Sequence, residues 1–274
     1  MIPRIIHYCW FSGEEFPPFI SQCIETWKKH LPEYTFKLWD ENSFDFNSVP
    51  FVKQAYETKK WAFVTDYVRF YALYIEGGIY LDSDVKVFKP FPDSWFEYDF
   101  FSAHEVHPNL FYTEGVKKLN DEFRPLDKEQ DIDGFSIQGA IMAAKANHPF
   151  LKDCLEVYHN MLFLNDKGSM KKTNEVIIGA IIGKVAVEYG YKYLDEEQVL
   201  RENMLILPTN ILVGNSVYLD NDSYAIHLIN GSWVEKKGID KFSHNFRNNY
   251  PKLFPFFNFF VKVVRKTLRI IRVN

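Results

Sequence analysis

Cysteine is scarce in this sequence. Only Cys9, Cys23 and Cys154 occur among 274 residues, and no two of them form a CxxC pair. So few and so widely spaced thiols fit neither a disulfide framework nor a zinc site of the CxxC type. We therefore expect the three cysteines to be reduced and to lie in the core, as in a cytoplasmic protein.

Long apolar runs are missing as well. No stretch of about twenty uninterrupted apolar residues occurs, so the sequence predicts no membrane-spanning helix. Residues 1–4 lead directly into a strand-like run, without the apolar region and cleavage site of a signal peptide. We therefore expect a cytoplasmic protein that is not secreted.

The sequence has no excess of positive charge. Lys and Arg number 32 against 36 Asp and Glu, a net charge of −4, which gives no reason to expect nucleic acid as a partner. Hydrophobic residues (47%) and aromatic residues (18%) are abundant, and they indicate a globular protein with a large core. We assign residues 1–250 to one domain and residues 251–274 to a separate C-terminal segment.

The C-terminal segment differs in composition from the domain. Between residues 251 and 274, Lys and Arg recur at three- and four-residue steps among Phe, Val, Leu and Ile, and no acidic residue occurs. This pattern predicts a basic amphipathic helix. Such a helix could lie in an anionic membrane interface or pack on the domain with its basic face in solvent, and the sequence leaves both open.

Hydrophobic periodicity predicts alternating strands and helices. The predicted strands are 4–10, 35–39, 79–81, 85–88, 100–104, 137–143, 204–207 and 224–228. The predicted helices are 17–30, 49–58, 62–76, 149–164 and 175–189. This alternation predicts a largely parallel sheet covered by helices on both faces, and we expect residues 85–88 to continue that sheet.

Residues 61–88 contain the most informative pattern. Gly77 and Gly78 end a predicted helix, because Gly tolerates the left-handed conformation common at helix ends. A short β-prone run follows, so that Asp82 and Asp84 come at the carboxyl end of a strand, where ligands of open α/β sheets bind. Mg²⁺ and Mn²⁺ prefer such oxygen ligands together with substrate phosphates. The pair therefore indicates a cation that binds a diphosphate.

Two further Asp-X-Asp triplets, at Asp131/Asp133 and Asp220/Asp222, lack this context. Neither follows a helix, a Gly-Gly pair and a buried strand. We interpret both as solvated loop carboxylates.

Two runs of the sequence are WAFVTDYVR at 61–69 and LYIEGGIYLDSDV at 73–85. They closely resemble the signature of the glycosyltransferases with a DXD sugar-binding region (family 32 type). This family includes yeast-type initiating mannosyltransferases, bacterial capsular polysaccharide transferases and, more distantly, the catalytic domains of large clostridial toxins. The resemblance covers residues 2–91 and returns in fragments at 135–149 and 224–233. It implies an α/β fold, a GT-A-like, Rossmann-type nucleotide-sugar transferase fold with a mixed, mostly parallel central sheet.

The resemblance also implies a cofactor, Mn²⁺ or Mg²⁺, bound by Asp82 and Asp84. The run YAIHLINGSW at 224–233 is similar to the late motif of the family. It implies His227 as a third metal ligand and Asn230 as an extra oxygen ligand, with Trp233 closing over the donor. A core histidine without a ligand role is the alternative for His227.

Catalytic roles are implied for Asp66, Arg69 and Gln138. Asp66 and Arg69 are i and i+3 on one predicted helix, so they can face one side. The resemblance implies that Asp66 accepts hydrogen bonds from sugar hydroxyls and that Arg69 adds positive charge, whereas a surface ion pair is the alternative. Gln138 lies about where relatives present an amide near the reacting carbon.

Donor-binding roles are implied for residues at the end of the first strand. In the run HYCW at 7–10, backbone groups of Tyr8 and Cys9 would pair with the nucleotide base and Trp10 would stack on it. Tyr80 would lie beside Asp66 and Arg69. For Trp10 and Tyr80 a role as plain core aromatics is the alternative.

By resemblance we expect a metal-dependent, retaining glycosyltransferase. It would move a hexose from UDP-hexose or GDP-mannose to a capsular or surface glycan, or to a lipid-linked glycan, with the polar stretch 105–133 on the acceptor side. The basic C-terminal segment would hold it at the cytoplasmic face of the membrane. A haloacid dehalogenase-like phosphatase is one alternative, although Lys86 departs from that signature, and a catalytically inactive carbohydrate-binding relative is another.

Overall fold

A computed structural model of the chain describes residues 1–171 and 178–228, together with Leu253. The strands of the described residues are β1 (Ile5–Cys9), β2 (Thr35–Trp39), β3 (Gly78–Leu81), β4 (Val85–Val87), β5 (Phe100–Val106), β6 (Phe135–Ile137), β7 (Ile141–Ala144), β8 (Gln198–Leu200), β9 (Met204–Leu207), β10 (Leu212–Val213) and β11 (Ala225–His227). Their α-helices are α1 (Pro18–His30), α2 (Pro50–Glu57), α3 (Trp61–Glu76), α4 (Pro108–Thr113), α5 (Pro149–His159) and α6 (Ile178–Glu188).

Eight strands form the main sheet, in the order β2-β1-β3-β7-β5-β9-β8 with β6 paired to β5. Strands β1, β2, β3, β5 and β9 point in one direction, and β6, β7 and β8 point in the other. The predicted fold class, α/β with a mixed and mostly parallel central sheet, is confirmed.

Strand β4 corrects one prediction. Residues 85–88 were expected to continue the main sheet, but β4 pairs antiparallel with β11 in a separate three-stranded sheet, β10-β11-β4. The reason is a tight turn after β3, in which the Val85 N–H donates to the Asp82 carbonyl at 2.9 Å. This turn directs the chain away from the plane of the main sheet.

Helices cover both faces of the main sheet, as predicted. Side chains alternate across β3, so Tyr80 packs among residues of α2, α3, α5 and α6, while Ile79 and Leu81 pack on the opposite face with α1. Trp27 of α1 is fully buried, and its indole N–H donates to the Val85 carbonyl at 2.7 Å. Helix α1 thereby fixes the position of β4.

Gly77 and Gly78 join α3 to β3 at the positions where the sequence predicts the helix to end. Both have positive φ, +67° and +110°, a conformation that favours glycine. A Cβ at Gly78 would lie 2.6 Å from the Ile5 carbonyl oxygen of the neighbouring strand. The two glycines therefore allow β3 to pair with β1 immediately after the helix.

Other predictions concern the thiols, the polar stretch and the tail. The three cysteines are free and buried, as expected.

The stretch 105–133 contains α4, a six-residue helix too short to produce a periodic pattern. Among the described residues, no helix combines the length and the apolar character needed to cross a bilayer. The predicted helix at 251–274 lies outside the described residues, apart from Leu253.

Candidate active site

The turn between β3 and β4 carries the two carboxylates that the sequence singles out. The Asp82 N–H donates to the Ala140 carbonyl at 2.9 Å, and the Val85 N–H closes the turn onto Asp82. The side chains of Asp82 and Asp84 are 17% and 13% exposed. The backbone therefore holds both carboxylates in place at the carboxyl edge of the main sheet, with limited access to solvent.

His227, at the end of β11, lies beside these carboxylates. Strand β11 runs antiparallel to β4 with His227 opposite Val85. Its Nε2 is 3.2 Å from Oδ1 of Asp84 and 3.7 Å from Oδ2 of Asp82. One ligand atom from each of the three residues lies within 4.8 Å of the others, and the described residues contain no second cluster of this kind. The structure thus brings together three of the four predicted metal ligands.

The chemistry of this cluster fits a divalent cation. Carboxylate and imidazole donors suit ions such as Mn²⁺. Burial by itself would lower the pKa of His227, but the nearby charges of Asp84 and Asp82 raise it to about 9. The two carboxylates therefore stabilise a positive charge beside them, on Nε2 of His227 or on a cation bound between the three side chains.

Arg69 connects α3 to this cluster. Its Nη2 lies 2.9 Å from Asp66 Oδ1 and 3.3 Å from Asp82 Oδ1, and its side chain is only 6% exposed. The guanidinium lies over the Tyr80 ring at 5.1 Å, and the Tyr80 hydroxyl donates to Asp82 Oδ1 at 2.7 Å. The Tyr80 hydroxyl and the charge of Arg69 thus hold one oxygen of Asp82, and the other faces His227. The alternative of an exposed Asp66–Arg69 pair is wrong.

Asp66 has an altered acidity in this environment. Burial raises the pKa of its carboxyl group to about 7, with Arg69 acting in the opposite direction and Asp82 adding to the increase. Asp66 is therefore harder to ionise than an exposed aspartate, and its pairing with Arg69 at 2.9 Å favours the ionised form, which accepts hydrogen bonds.

Gln138 lies between β6 and β7 and is completely buried. Its amide nitrogen donates to the Leu212 carbonyl, while its amide oxygen has no hydrogen-bond partner in the described part of the chain. The following residue is closer to the charged cluster, since a Cβ at Gly139 would lie 2.8 Å from Nη1 of Arg69. Glycine at 139 leaves room for the guanidinium, which the sequence alone did not indicate.

Residues 1–170 match the family described as capsular polysaccharide synthesis protein. The chain belongs to this family. It is also 26% identical, over 85% of its own length and 84% of the relative, to an uncharacterized glycosyltransferase of Acanthamoeba polyphaga mimivirus. The predicted assignment to the glycosyltransferases, and hence to the enzymes, is confirmed.

Solved structures with a similar course of the chain include two glycosyltransferases. One is the PaToxG glycosyltransferase, with a TM-score of 0.47 and 17% identity over 68% of this chain and 69% of that one. The other is a glycosyltransferase involved in glycosylation of the major capsid of PBCV-1, with a TM-score of 0.42 and 10% identity over 91% of this chain and all of that one. The family assignment rests on the sequence matches.

The predicted donor loop lies at the same sheet edge as Asp82, because β1 and β3 are parallel neighbours. Cys9 is buried, and burial raises the pKa of its thiol, so its backbone is the part that can bind a ligand. Trp10 is half-buried, packs edge-on against Phe16 at 5.2 Å and donates to the Glu14 carbonyl at 2.7 Å.

Two predicted site residues, Asn230 and Trp233, lie outside the described residues. The other two Asp-X-Asp triplets are held by local partners: Asp131 pairs with Lys184 at 3.0 Å, Asp133 with Lys118 at 2.7 Å, and Asp220 accepts from the Asp222 and Ser223 N–H groups.

Proposed function

We propose that the protein is a metal-dependent, retaining glycosyltransferase that moves a hexose from a nucleotide-diphosphate sugar to a hydroxyl group of a glycan. The observation that supports this most is that Asp82 and Asp84 of the β3–β4 turn and His227 of β11 converge to within 4.8 Å, next to the buried Asp66–Arg69 pair. Mn²⁺ or Mg²⁺ held by these three residues would neutralise the charge of the departing diphosphate.

The residues around the metal ligands have separate roles in binding the donor and in positioning Asp82. Arg69 stays protonated and adds positive charge beside the diphosphate, and its fork geometry suits phosphate oxygens. Asp66 accepts hydrogen bonds from hydroxyls of the donor sugar. Tyr80 holds one oxygen of Asp82 through its hydroxyl, so that the other remains directed to the metal position.

The base of the donor would bind at the end of β1. Backbone groups of Tyr8 and Cys9 pair with it, and the half-buried ring of Trp10 stacks on it. Trp233 as a lid and Asn230 as a fourth metal ligand belong to the same proposal. A Trp10→Ala variant should raise KM for the donor more than it lowers kcat, because base stacking contributes equally to ground-state and transition-state binding.

Retention of configuration is best explained by a same-face displacement. The bond between the anomeric carbon and the diphosphate oxygen breaks, the acceptor oxygen bonds to that carbon, and the leaving phosphate takes the acceptor proton. Gln138 is completely buried and its nitrogen donates to Leu212, so its predicted role in this step requires that donor binding opens access to its amide oxygen. Proton NMR of the product, which separates the two anomers, tests the stereochemistry.

The donor we propose is UDP-hexose or GDP-mannose, and the acceptor is a growing surface or capsular glycan or its lipid-linked form. The basic segment 251–274 would hold the enzyme at the cytoplasmic face of the membrane. Pelleting with anionic vesicles tests this contact, since equal binding of the full chain and of a chain ending at Tyr250 would rule it out.

The central experiment is a screen of nucleotide sugars with Mn²⁺ that scores both hydrolysis and transfer. Replacing Asp82 and Asp84 by Ala should abolish Mn²⁺-dependent turnover while the fold remains intact. Asp222→Ala, in a triplet that is held in an exposed turn, is the matched control and should retain full turnover.

Three results would contradict the proposal. Unchanged turnover in the Asp82/Asp84 double variant would refute the metal assignment. Phosphate release from a simple ester, without any use of nucleotide sugars, would favour the phosphatase alternative. Glycan binding without turnover of any donor would favour the inactive relative.

A further inference from the structure

Glu105 is a carboxylate at the candidate active site; the sequence placed it only as the first residue of the stretch 105–133 on the acceptor side, whereas the structure places it in β5. It lies near the carboxyl end of β5, which points in the same direction as β3, so Glu105 and Asp82 lie at the same edge of the main sheet. Its side chain is 23% exposed. A partly accessible carboxylate at this edge is well placed to contact a bound ligand.

Gly214 lies between Glu105 and His227 of the metal cluster. It follows β10, and the parallel register of β10 with β11 pairs Leu212 with Ala225 and Val213 with Ile226. Continued by one residue, this register places Gly214 beside His227. Gly214 therefore lies about one strand spacing, roughly 5 Å, from His227. A Cβ at Gly214 would lie 2.9 Å from Cγ of Glu105. The Glu105 side chain therefore packs directly against the backbone of Gly214.

The contacts of Glu105 limit what it can bind. It is not part of the group formed by Asp82, Asp84 and His227. Within 4 Å, the ionisable side chain beside it among the described residues is His107, whose Nε2 is 3.7 Å from Oε1, beyond hydrogen-bond distance. An ionised carboxylate only accepts hydrogen bonds, and its charge repels a diphosphate. Neutral hydroxyl donors, as on a sugar ring, are the partners that suit it.

We propose that Glu105 binds hydroxyl groups of the hexose being transferred and so determines which nucleotide sugar the site accepts. This inference rests on the proposed function. The hexose is attached directly to the diphosphate, so it is the part of the donor that must lie next to the metal position. Since the sheet order is β1, β3, β7, β5, Glu105 lies on the side away from the base-binding loop, where the sugar end of the donor points.

The first experiment compares substrates. UDP-glucose, UDP-galactose, UDP-N-acetylglucosamine and GDP-mannose are assayed with Mn²⁺, and single-deoxy analogues of the preferred donor follow. Glu105→Gln should lower kcat/KM for the preferred donor by about 10- to 100-fold, the usual cost of losing a hydrogen bond to a charged group. It should hardly affect the analogue that lacks the bound hydroxyl, because that contact is already absent. Glu25→Gln, a carboxylate paired with Lys28 on the surface of α1, is the matched control.

The second experiment moves the carboxylate without replacing it. Gly214→Ala places a methyl group against Cγ of Glu105, and the flexible side chain must turn aside while the fold is kept. The variant should lower kcat/KM for the preferred donor in the wild-type background and have little effect in a Glu105→Ala background. Such non-additivity is expected only if Gly214 acts through Glu105.

The outcomes separate the two proposals. If the wild type turns over a nucleotide sugar but Glu105→Gln lowers kcat/KM equally for the preferred donor and every deoxy analogue, this inference is wrong and the proposed function stands. Additive effects of Gly214→Ala and Glu105→Ala would lead to the same conclusion. If the wild type turns over no nucleotide sugar, both proposals fail.

Discussion

At the residue scale, Arg69 balances the charges of the candidate site. It is the buried cation between the carboxylates of Asp66 and Asp82, and Asp84 adds a third carboxylate nearby. A His227 that binds a metal must first lose its proton, and the group of Arg69, neutral His227 and three ionised carboxylates then has two net negative charges. A divalent cation offsets that charge, which is a further reason why the cluster suits Mn²⁺ or Mg²⁺.

Removing this cation should destabilise the whole protein. Arg69→Ala leaves buried carboxylates without a counter-charge, and we expect it to lower the free energy of unfolding by about 3 to 5 kcal/mol. Lys117→Ala, which breaks an exposed pair with Glu114, should cost at most about 1 kcal/mol. Urea denaturation measures both, and similar losses in the two variants would argue against a buried charge network.

Tyr80 should influence the metal site through a single hydroxyl. Tyr80→Phe removes the donor that orients Asp82, and loss of such a supporting contact typically weakens metal binding by about 10-fold or more. Tyr158→Phe is the matched control, because that buried hydroxyl has no hydrogen-bond partner among the described residues. Thermal shifts titrated with Mn²⁺ report the affinities, and equal affinities in the two variants would contradict the assigned role of Tyr80.

At the element scale, the unit α3, Gly77-Gly78, β3 and the Asp82–Val85 turn was the most predictable part of the chain. Helix periodicity, two glycines and a short apolar run are local signals, and they indicated the end of α3 and the position of β3 to within a residue. The pairing of β4 was not predictable. It depends on β11, which lies some 140 residues further along the chain.

Helix α5 offers a test of pH dependence. His148 caps this helix, accepting from the Phe150 N–H through Nδ1 at 3.3 Å. Burial lowers its pKa below the ordinary value of 6.5, so as the pH falls below 6.5 the unfolded chain binds the proton before the folded one does. His148 therefore contributes stability that is present above pH 6.5 and lost as the pH falls through the lower, folded-state value.

His148→Asn isolates this effect, because Asn is a favourable N-cap residue and does not titrate. The difference in free energy of unfolding between wild type and variant should be constant above about pH 6.5 and should shift against the wild type below it. Urea denaturation between pH 5 and pH 8 measures the difference. A difference that stays constant down to pH 5 would show that His148 titrates alike in both states.

At the scale of the whole molecule, the candidate metal site joins the two sheets. Asp82 follows β3 of the main sheet, whereas His227 ends β11 of the small sheet. A cation bound by both should stabilise the folded state by about 2.7 kcal/mol at a concentration 100 times its Kd. Asp84→Asn should abolish this stabilisation, and Asp222→Asn should keep it. Unfolding curves with and without Mn²⁺ provide the measurement, and a gain that persists in Asp84→Asn would place the ion elsewhere.

The sequence by itself determined the α/β class, the helix and strand that carry Asp66, Arg69, Asp82 and Asp84, and the family. Those conclusions come from local periodicity and from motifs within about thirty residues. Only the tertiary structure decided three contacts. His227 faces the two carboxylates, the amide nitrogen of Gln138 donates to the Leu212 carbonyl, and the Glu105 side chain packs against Gly214. Such contacts join strands far apart in sequence, and their geometry depends on sheet pairing and side-chain packing, which no local pattern specifies.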